Sequence, residues 1–331
     1  MKYRIINIVI LFIALLLVLF FTLKDDFNGV ILELSKANIY VLLIAIFIFI
    51  LSYFIKSISL YSFLNIKYKY NILKTFRLTL AGILLNGITP FQSGGQPYQV
   101  YILKKDGIRI TDSTGAMIKD FISFQISLIL VGVVALIINL FTHLFATNLQ
   151  VKIMITCGFV INLAVLIILL FVSFAKKSFT KLVNKIINFR IIKNKVNKDK
   201  INESIENFYS SGEELKKNKS IFLKCVGLNI LHLLLLYLLP YIVFISFGIK
   251  DISILNSIMA ITFVMLVGNF VPLPGGTGGI EYSFMQFFGV FVNGNILSGI
   301  MLVWRFITYV LGLFIGFIAL ILRKGGKKVC E

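Results

Sequence analysis

The chain alternates between long apolar runs and short charged segments. A helix needs about 20 apolar residues to cross a bilayer, and six runs approach or exceed this length. We predict that these six runs are transmembrane helices. They cover residues 5–23, 39–55, 113–141, 151–174, 220–247 and 294–322. Two further apolar stretches, 72–105 and 252–291, are interrupted near their middle by Gly and Pro. The pattern predicts an all-α polytopic membrane protein with six full transmembrane helices.

Composition supports this fold class. Hydrophobic residues make up 58% of the 331 residues and charged residues only 14%, whereas a soluble domain carries about 25% charged residues. The formal net charge of +19 is typical of the Lys and Arg that gather in cytoplasmic loops, so we expect no nucleic-acid partner. The three Cys and two His are scattered. We therefore expect no disulfide framework, no metal site and no cofactor.

The distribution of basic residues predicts the orientation in the cytoplasmic membrane. Residues 56–77 carry five basic side chains and no acid, and residues 176–219 carry 12 basic and 5 acidic ones. The segment 142–150 has no charged side chain. Both termini are therefore predicted to be cytoplasmic. The run 5–23 lacks a cleavage pattern and is predicted to be a retained helix. The linker 176–219 is either a solvated loop or a helix on anionic headgroups.

The two interrupted stretches match each other at an offset of 184 residues. At this offset Pro90 meets Pro274, Gly94 and Gly95 meet Gly278 and Gly279, Tyr98 meets Tyr282, and Gly132 meets Gly316. The match has two explanations, an internal repeat or the common reuse of Pro and Gly in turns. Because basic residues flank the first stretch on both sides, we predict that it is a re-entrant hairpin entering from the cytoplasm.

Three predicted crossings then separate the two stretches, so the second hairpin must enter from the opposite face. The sequence thus predicts two opposed re-entrant hairpins that form an inverted repeat within a single domain, residues 1–331. Repeat 1 covers about 72–141 and repeat 2 about 252–322, joined by the basic linker 176–219. Broken hairpins of this kind mark the midplane binding site of many transporters.

Non-helical backbone survives inside a bilayer only within protein or along a wet cavity. The residues expected to break the hairpins are Pro90, Pro272, Pro274, Gly275 and Gly276. Helices that restart at Gly95 and Gly279 present positive dipole ends that favour anions, especially phosphate. The candidate site residues of the two tips are Asn86, Gln92, Ser93, Gly94, Gly95, Gln96, Asn269, Thr277, Gly278 and Gly279.

Four ionisable residues at predicted membrane depth complete the candidate site: Arg305, Lys119, Asp120 and Glu281. Such residues are costly in a bilayer and face partners or a cavity. Arg305 either forms an ion pair with Asp120 or Glu281 that only locks the repeats together, or faces a pocket with Lys119 and attracts a lipid phosphate. Both interpretations can hold at once.

Three motifs carry a family resemblance: residues 86–97, 271–281 and 304–309. They resemble the flippase-like transmembrane region of lysylphosphatidylglycerol synthases, the multiple peptide resistance factor family. The resemblance implies translocation of aminoacylated phosphatidylglycerol to the outer leaflet, which protects against cationic peptides, and it suggests a homodimer. In that family a soluble domain uses aminoacyl-tRNA. Only about nine residues follow the last predicted span here, so we expect a stand-alone form without transferase activity.

We therefore predict a flippase for anionic or aminoacylated (lysyl-)phosphatidylglycerol or a related membrane phospholipid. The alternative is a membrane subunit or enzyme of lipid aminoacylation, such as a phosphatidylglycerol lysyltransferase, or of glycolipid synthesis, working with a separate cytoplasmic transferase. A purely structural scaffold is a third interpretation. The chain has no GxxxxGK[ST] motif, so transport would be driven by downhill lipid flow, an ion gradient or a partner.

Overall fold

The computed structural model describes residues 35–145, 149–187, 209, 218–269, 271–292 and 294–322. Helices dominate this part of the chain. They are α1 (Ile39–Leu64), α2 (Ile72–Ile88), α3 (Gly95–Lys105), α4 (Ile110–Thr142), α5 (Leu149–Phe174), α6 (Lys176–Ile187), α7 (Lys219–Ser246), α8 (Ile254–Gly268), α9 (Gly279–Phe288) and α10 (Asn295–Ile321). Short 3₁₀ turns, tip 1 (Pro90–Gln92) and tip 2 (Pro274–Gly276), separate α2 from α3 and α8 from α9.

Five of the described helices, α1, α4, α5, α7 and α10, are long and apolar enough to cross a membrane. They correspond to five of the six predicted spans, and the remaining prediction, 5–23, lies outside the described residues. Large apolar side chains such as Leu140, Phe141 and Ile168 are exposed on their outer faces, as expected for helices that contact lipid. The prediction of an all-α multi-pass membrane protein is confirmed.

The end predicted for the second span, residue 55, is wrong. Helix α1 continues to Leu64, so Lys56 lies inside a helix and not in a loop. Its hydroxyl-bearing residues are accommodated because they bond to carbonyls of their own helix, Ser57 to Phe54 at 2.6 Å and Ser62 to Ile58 at 2.8 Å. The link between α1 and α2 is therefore short. Of the basic linker, the described part consists mainly of α6.

Helices α1 and α7 pack side by side in antiparallel directions. The Asn38 amide at the start of α1 donates to the Ser246 carbonyl at the end of α7, at 2.9 Å. Further along α1, the Ser59 carbonyl accepts from Cys225 Sγ near the start of α7, at 3.6 Å. The segment from Asn38 to Ser59 on α1 is as long as the segment from Cys225 to Ser246 on α7. The two helices therefore keep the same register over this length.

The helices after the tips pack in a reciprocal way. Gly316 on α10 lies against α2, where an added Cβ would stand 2.7 Å from the Leu80 carbonyl oxygen. Gly132 on α4, 184 positions earlier, lies against α8, where its Cβ would be 3.4 Å from the Leu266 side chain. We call α2 with α3, and α8 with α9, the two interrupted pairs. The long helix that follows each interrupted pair thus contacts the first helix of the other pair. Only at Gly316 does the close approach of the backbones require glycine, because the 3.4 Å at Gly132 is an ordinary van der Waals contact.

Aromatic packing fixes α9 against α10 next to the second tip. The ring of Phe284 stacks on Phe288, with 4.3 Å between centroids, and on Trp304, with 4.9 Å. All three side chains are buried. A π-helical turn at Phe306–Val310 follows directly, a distortion often found at functional sites. Arg305 is therefore held at a rigid junction between the two helices.

Candidate functional site

The two tips share one backbone conformation at equivalent positions. Phe91 and Gln92 have φ angles of 54° and 51°, and Gly275 and Gly276, 184 positions later, have 62° and 67°. Glycine adopts this left-handed region freely, whereas an L-residue with a side chain pays about 1–2 kcal/mol. The two tips contact each other. The turn geometry is therefore shared by both pairs although the residue types differ.

Side chains cap the N-termini of the helices that follow the two tips. In the first pair, Asn86 Oδ1 accepts from the Gly95 amide at 2.7 Å, and Thr89 Oγ1 accepts from the Gly94 amide at 2.9 Å. In the second pair, Glu281 Oε2 accepts from the Gly278 amide at 2.6 Å. These amides, which the sequence left as candidate anion donors, are thus bonded within the chain.

A cavity of about 570 Å³ lies where the two interrupted pairs meet α1, α4, α7 and α10. Among the residues that the structure describes, its charged lining side chains are Lys56, Asp120 and Arg305. Its neutral polar lining side chains include Asn86, Gln92, Ser93, Gln96, Gln99 and Asn269. Most of the remaining wall is apolar or aromatic. The cavity therefore combines an apolar wall with a few convergent polar groups, the usual composition of a ligand site.

The cavity opens at tip 1. Phe91, with 58% of its surface exposed, and the exposed Ser93 both line it. Deeper lining residues such as Gln99 and His232 are buried. Tip 1 therefore forms an exposed part of the cavity wall, with an aromatic ring and a hydroxyl.

Arg305 connects α10 to tip 2 and to α9, and its neighbour Tyr309 connects α10 to α2. Its Nε donates to Glu281 Oε1 at 2.6 Å, and its Nη2 donates to the Gly275 carbonyl at 3.2 Å. The guanidinium lies 4.6 Å from the centre of the Tyr309 ring, whose hydroxyl donates to the Gly87 carbonyl on α2 at 3.1 Å. Of the two ion pairs that the sequence left open, the structure forms the one with Glu281. Arg305 also lines the cavity, so it is ion-paired and faces the cavity at the same time.

The second cation is Lys56, on α1. Its Nζ lies 2.8 Å from Asp120 Oδ2 and 2.9 Å from Asn229 Oδ1. Ser59 Oγ donates to the other carboxylate oxygen, Asp120 Oδ1, at 2.6 Å. Asn229 Nδ2 in turn donates to Ser59 Oγ at 3.2 Å and to Ser123 Oγ at 2.9 Å. We call Lys56, Asp120, Asn229, Ser59 and Ser123 the lysine cluster.

The structure brings some of the sequence-derived candidates together and leaves others apart. Those that line the cavity are Asn86, Gln92, Ser93, Gln96, Asp120, Asn269, Gly275 and Arg305. Glu281 reaches the site through Arg305. The cavity lining does not include Lys119, Gly94, Gly95, Gly276, Thr277, Gly278, Gly279, Pro90, Pro272 or Pro274. Because a helix turns by about 100° per residue, Lys119 cannot share the direction of its buried neighbour Asp120.

Sequence reasoning missed Lys56 because it was counted among the loop charges. A signal was nevertheless present in the apolar pattern that continues beyond it, to Leu60 and Leu64. Tyr53, Lys56 and Leu60 follow helical spacing, and all three line the cavity. A basic residue within a helical apolar stripe is thus the feature that identifies this second cation.

Gly275→Ala is expected to destabilise the protein more than Gly248→Ala. Both positions have positive φ, 62° and 78°, so both variants bear the same kind of backbone strain. At Gly275 the new Cβ would also lie 2.2 Å from the Tyr309 ring, whereas at Gly248 nothing stands within 4 Å. We expect an additional loss of about 1–3 kcal/mol at Gly275, measured by thermal unfolding in detergent. Equal losses would contradict the packing of tip 2 against Tyr309.

The helices and the cavity define a multi-pass helical membrane protein. The family model for the lysylphosphatidylglycerol synthase TM region matches residues 5–316, and the chain belongs to this family. A UPF0104 membrane protein of Archaeoglobus fulgidus is 27% identical over 272 residues, a match that covers 76% of each chain. The membership implies a role connected with membrane lipids.

Proposed function

We propose that this protein is a phospholipid translocase that moves a lipid headgroup between leaflets through the cavity. The observation that carries the proposal is the placement of two cations, Lys56 and Arg305, on the wall of one cavity that opens at tip 1. Cations are expensive inside a bilayer, and those that face a cavity mark the path of an anionic substrate.

The membrane topology of the proposal is an inverted repeat. Helices α2, α3, α8 and α9 have 17, 11, 15 and 10 residues. A helix rises about 1.5 Å per residue, so each of them is too short to cross a hydrocarbon core of about 30 Å. Two re-entrant hairpins that meet at their tips account for these lengths. The antiparallel pairing of α1 with α7 and the shared 184-residue offset support opposite orientations for the two repeats.

Six full spans, including 5–23, with both termini in the cytoplasm, complete this topology. The repeats then extend beyond the predicted bounds, because adding the same offset to α1 gives residues 223–248, close to α7 at Lys219–Ser246. Each repeat consists of one long helix, one interrupted pair and a second long helix. Rocking of one repeat against the other would open the cavity to alternate leaflets.

The lipid phosphate is proposed to bind between the two cations. The planar guanidinium of Arg305 presents a fork of N–H donors that suits phosphate oxygens, and Lys56 adds a compact charge. The amides of Gln92 and Gln96 and the hydroxyl of Ser93 supply neutral donors on the way in. About 570 Å³ lies within the usual 300–1,000 Å³ of small-molecule sites, which suffices for a headgroup while the acyl tails stay in lipid beside Phe91.

The proposed substrate is an anionic or aminoacylated phosphatidylglycerol or a related phospholipid of the cytoplasmic membrane. The family name and the motif resemblance support the lipid class, and the paired cations support a phosphate. The carboxylates Asp120 and Glu281 lie beside these cations, where an ammonium group of an aminoacylated headgroup could find an acceptor.

A liposome assay tests the proposal. The purified protein is placed in phosphatidylcholine vesicles with a trace of tail-labelled phosphatidylglycerol, and the label left in the outer leaflet is quenched chemically at successive times. We expect quenching of nearly all label in vesicles with protein and of about half, the outer-leaflet share of a bilayer, in protein-free vesicles. Phosphatidylglycerol and lysyl-phosphatidylglycerol are tested separately. Identical traces with and without protein for both lipids would refute translocation.

A further inference from the structure

The charges at the cavity balance one another when it is empty. Lys56 is paired with Asp120 at 2.8 Å, and Arg305 with Glu281 at 2.6 Å. The paired side chains are at most 19% exposed. An anionic headgroup that enters this site adds one negative charge that nothing in either pair compensates. Because net charge in a low-dielectric interior is costly, a compensating cation is required.

We propose that each anionic headgroup is translocated together with one proton, which Asp120 takes up when the headgroup displaces it from Lys56. This inference rests on the proposed translocation and deepens it. Lys56 is the more exposed member of its pair, at 17% against 7% for Asp120, so the phosphate approaches the ammonium from the cavity. Once the phosphate binds Lys56, the carboxylate loses its counter-charge and its ionised form is strongly disfavoured.

The hydrogen bonds of Asp120 allow both protonation states. Ser59 Oγ donates to Asp120 Oδ1 at 2.6 Å. A hydroxyl is both donor and acceptor and rotates to suit its partner, so Ser59 Oγ accepts from a protonated Asp120 after turning. Glu281 differs, because its two oxygens face the Gly278 amide and the Arg305 guanidinium. Neither of these groups has an acceptor to offer to a carboxylic acid proton, so the geometry favours Asp120 as the coupling carboxylate.

Other titratable groups face the lysine cluster from the packed helices. They are Tyr53 on α1, Cys225 and His232 on α7, and Arg305 across the cavity on α10. At neutral pH an ordinary phenol or thiol already holds its proton and a guanidinium is already charged, so side chains of these three types do not take up a further proton. His232 is the rival, but its Nδ1 is bonded to the Ser52 carbonyl at 2.8 Å and its ring packs on Tyr53 and Phe124. A headgroup at Lys56 removes no hydrogen-bond partner from His232. The charge of Lys56 also acts on His232, so the His232→Gln variant below is needed to separate the two groups.

Proton coupling is measured as leaflet asymmetry under a pH gradient. Full-length protein is placed in phosphatidylcholine vesicles with a trace of tail-labelled phosphatidylglycerol, one pH unit across the membrane, and the potential held at zero. One pH unit corresponds to about a tenfold ratio. For one proton per lipid, we therefore expect the label to accumulate about tenfold in the leaflet facing the alkaline side. Protein-free vesicles correct for spontaneous movement.

Two variants locate the proton. Asp120→Asn carries a permanently neutral side chain, so its label is expected to move faster than in protein-free vesicles and still to divide equally between leaflets at any pH gradient. An Asp120→Asn protein that moves label and keeps the tenfold asymmetry would overturn the assignment. Asp251→Asn, at an exposed position, is the matched control and should keep the tenfold asymmetry. Loss of asymmetry in His232→Gln with retention in Asp120→Asn would overturn the assignment to Asp120.

The outcomes separate this inference from the proposed function. Rapid movement of label in the wild-type protein with equal leaflet shares overturns proton coupling and leaves the translocase intact. Absence of protein-dependent movement at every pH removes the translocase, and the coupling falls with it. If Asp120→Asn fails to fold, the wild-type leaflet ratio alone still decides whether a proton accompanies the lipid.

Discussion

Arg305→Gln is expected to lower the rate of phosphatidylglycerol translocation on the order of 100-fold, because the loss of a buried charged hydrogen-bond donor costs several kcal/mol of binding. Gln keeps a polar side chain of moderate length but removes the charge and the fork that faces the cavity. The measurement is the initial rate of label movement in vesicles, compared at equal protein incorporation. Wild-type transport by a well-folded Arg305→Gln protein would contradict a role for this residue in headgroup binding.

Glu281→Gln separates a binding role of Arg305 from a purely structural one. This variant removes the ion pair with Nε but leaves the guanidinium on the cavity wall beside the Gly275 carbonyl. If Arg305 served only to hold tip 2 through that pair, the two variants would lose transport to the same extent. We expect Glu281→Gln to retain much more transport than Arg305→Gln. Arg305→Lys should fall between them, because it keeps the charge without the fork.

Lys56→Met is expected to destabilise the protein by about 3–5 kcal/mol, the usual cost of leaving one member of a buried ion pair without its partner. Asp120 would retain Ser59 as a donor but lose its counter-charge. Thermal unfolding of the purified protein in detergent should show a midpoint lower by ~10 °C. A matched control is Lys250→Met, since Lys250 is exposed and its removal should leave the midpoint almost unchanged.

The double variant Lys56→Met with Asp120→Asn tests the cause of that loss. Because it removes both charges together, it should recover a large part of the stability that Lys56→Met loses. Its unfolding midpoint should therefore lie above that of the single variant. Additive losses in the double variant would contradict the interpretation that an unpaired carboxylate causes the instability.

The long helices could be predicted from the sequence because apolar runs near bilayer length leave few alternatives. Helix α1 shows where this fails. The apolar run weakens at Lys56 and the serines that follow, and composition alone suggested a loop. What continues the helix is tertiary structure, since α7 and Asp120 supply partners for the polar side chains. Sequence windows do not contain partners more than 60 positions away.

The sequence was sufficient to propose which residues belong to the candidate site, but not which of the charged residues pair with each other. The repeat offset located both tips, and intramembrane charge singled out Arg305, Asp120 and Glu281. Which acid pairs with Arg305 depends on the rotation of α4 and α9 about their axes, which spacing along the chain does not determine. The left-handed backbone conformation of Phe91 could not be predicted from its residue type, because Phe is not typical of turns. The one indication in the sequence was that Phe91 matches Gly275 at the 184-residue offset.

During synthesis, α1 enters the membrane long before its partner α7 exists. Ser59 and Cys225 are 166 residues apart, a gap that a ribosome covers in roughly 8–33 s at 5–20 residues per second. Asp120 follows Lys56 by only 64 residues and reaches it first, so the intramembrane charge is neutralised early. The amide of Asn229 arrives last. A chain that stops before α7 would leave the polar face of α1 without the partners that Asn229 and Cys225 supply.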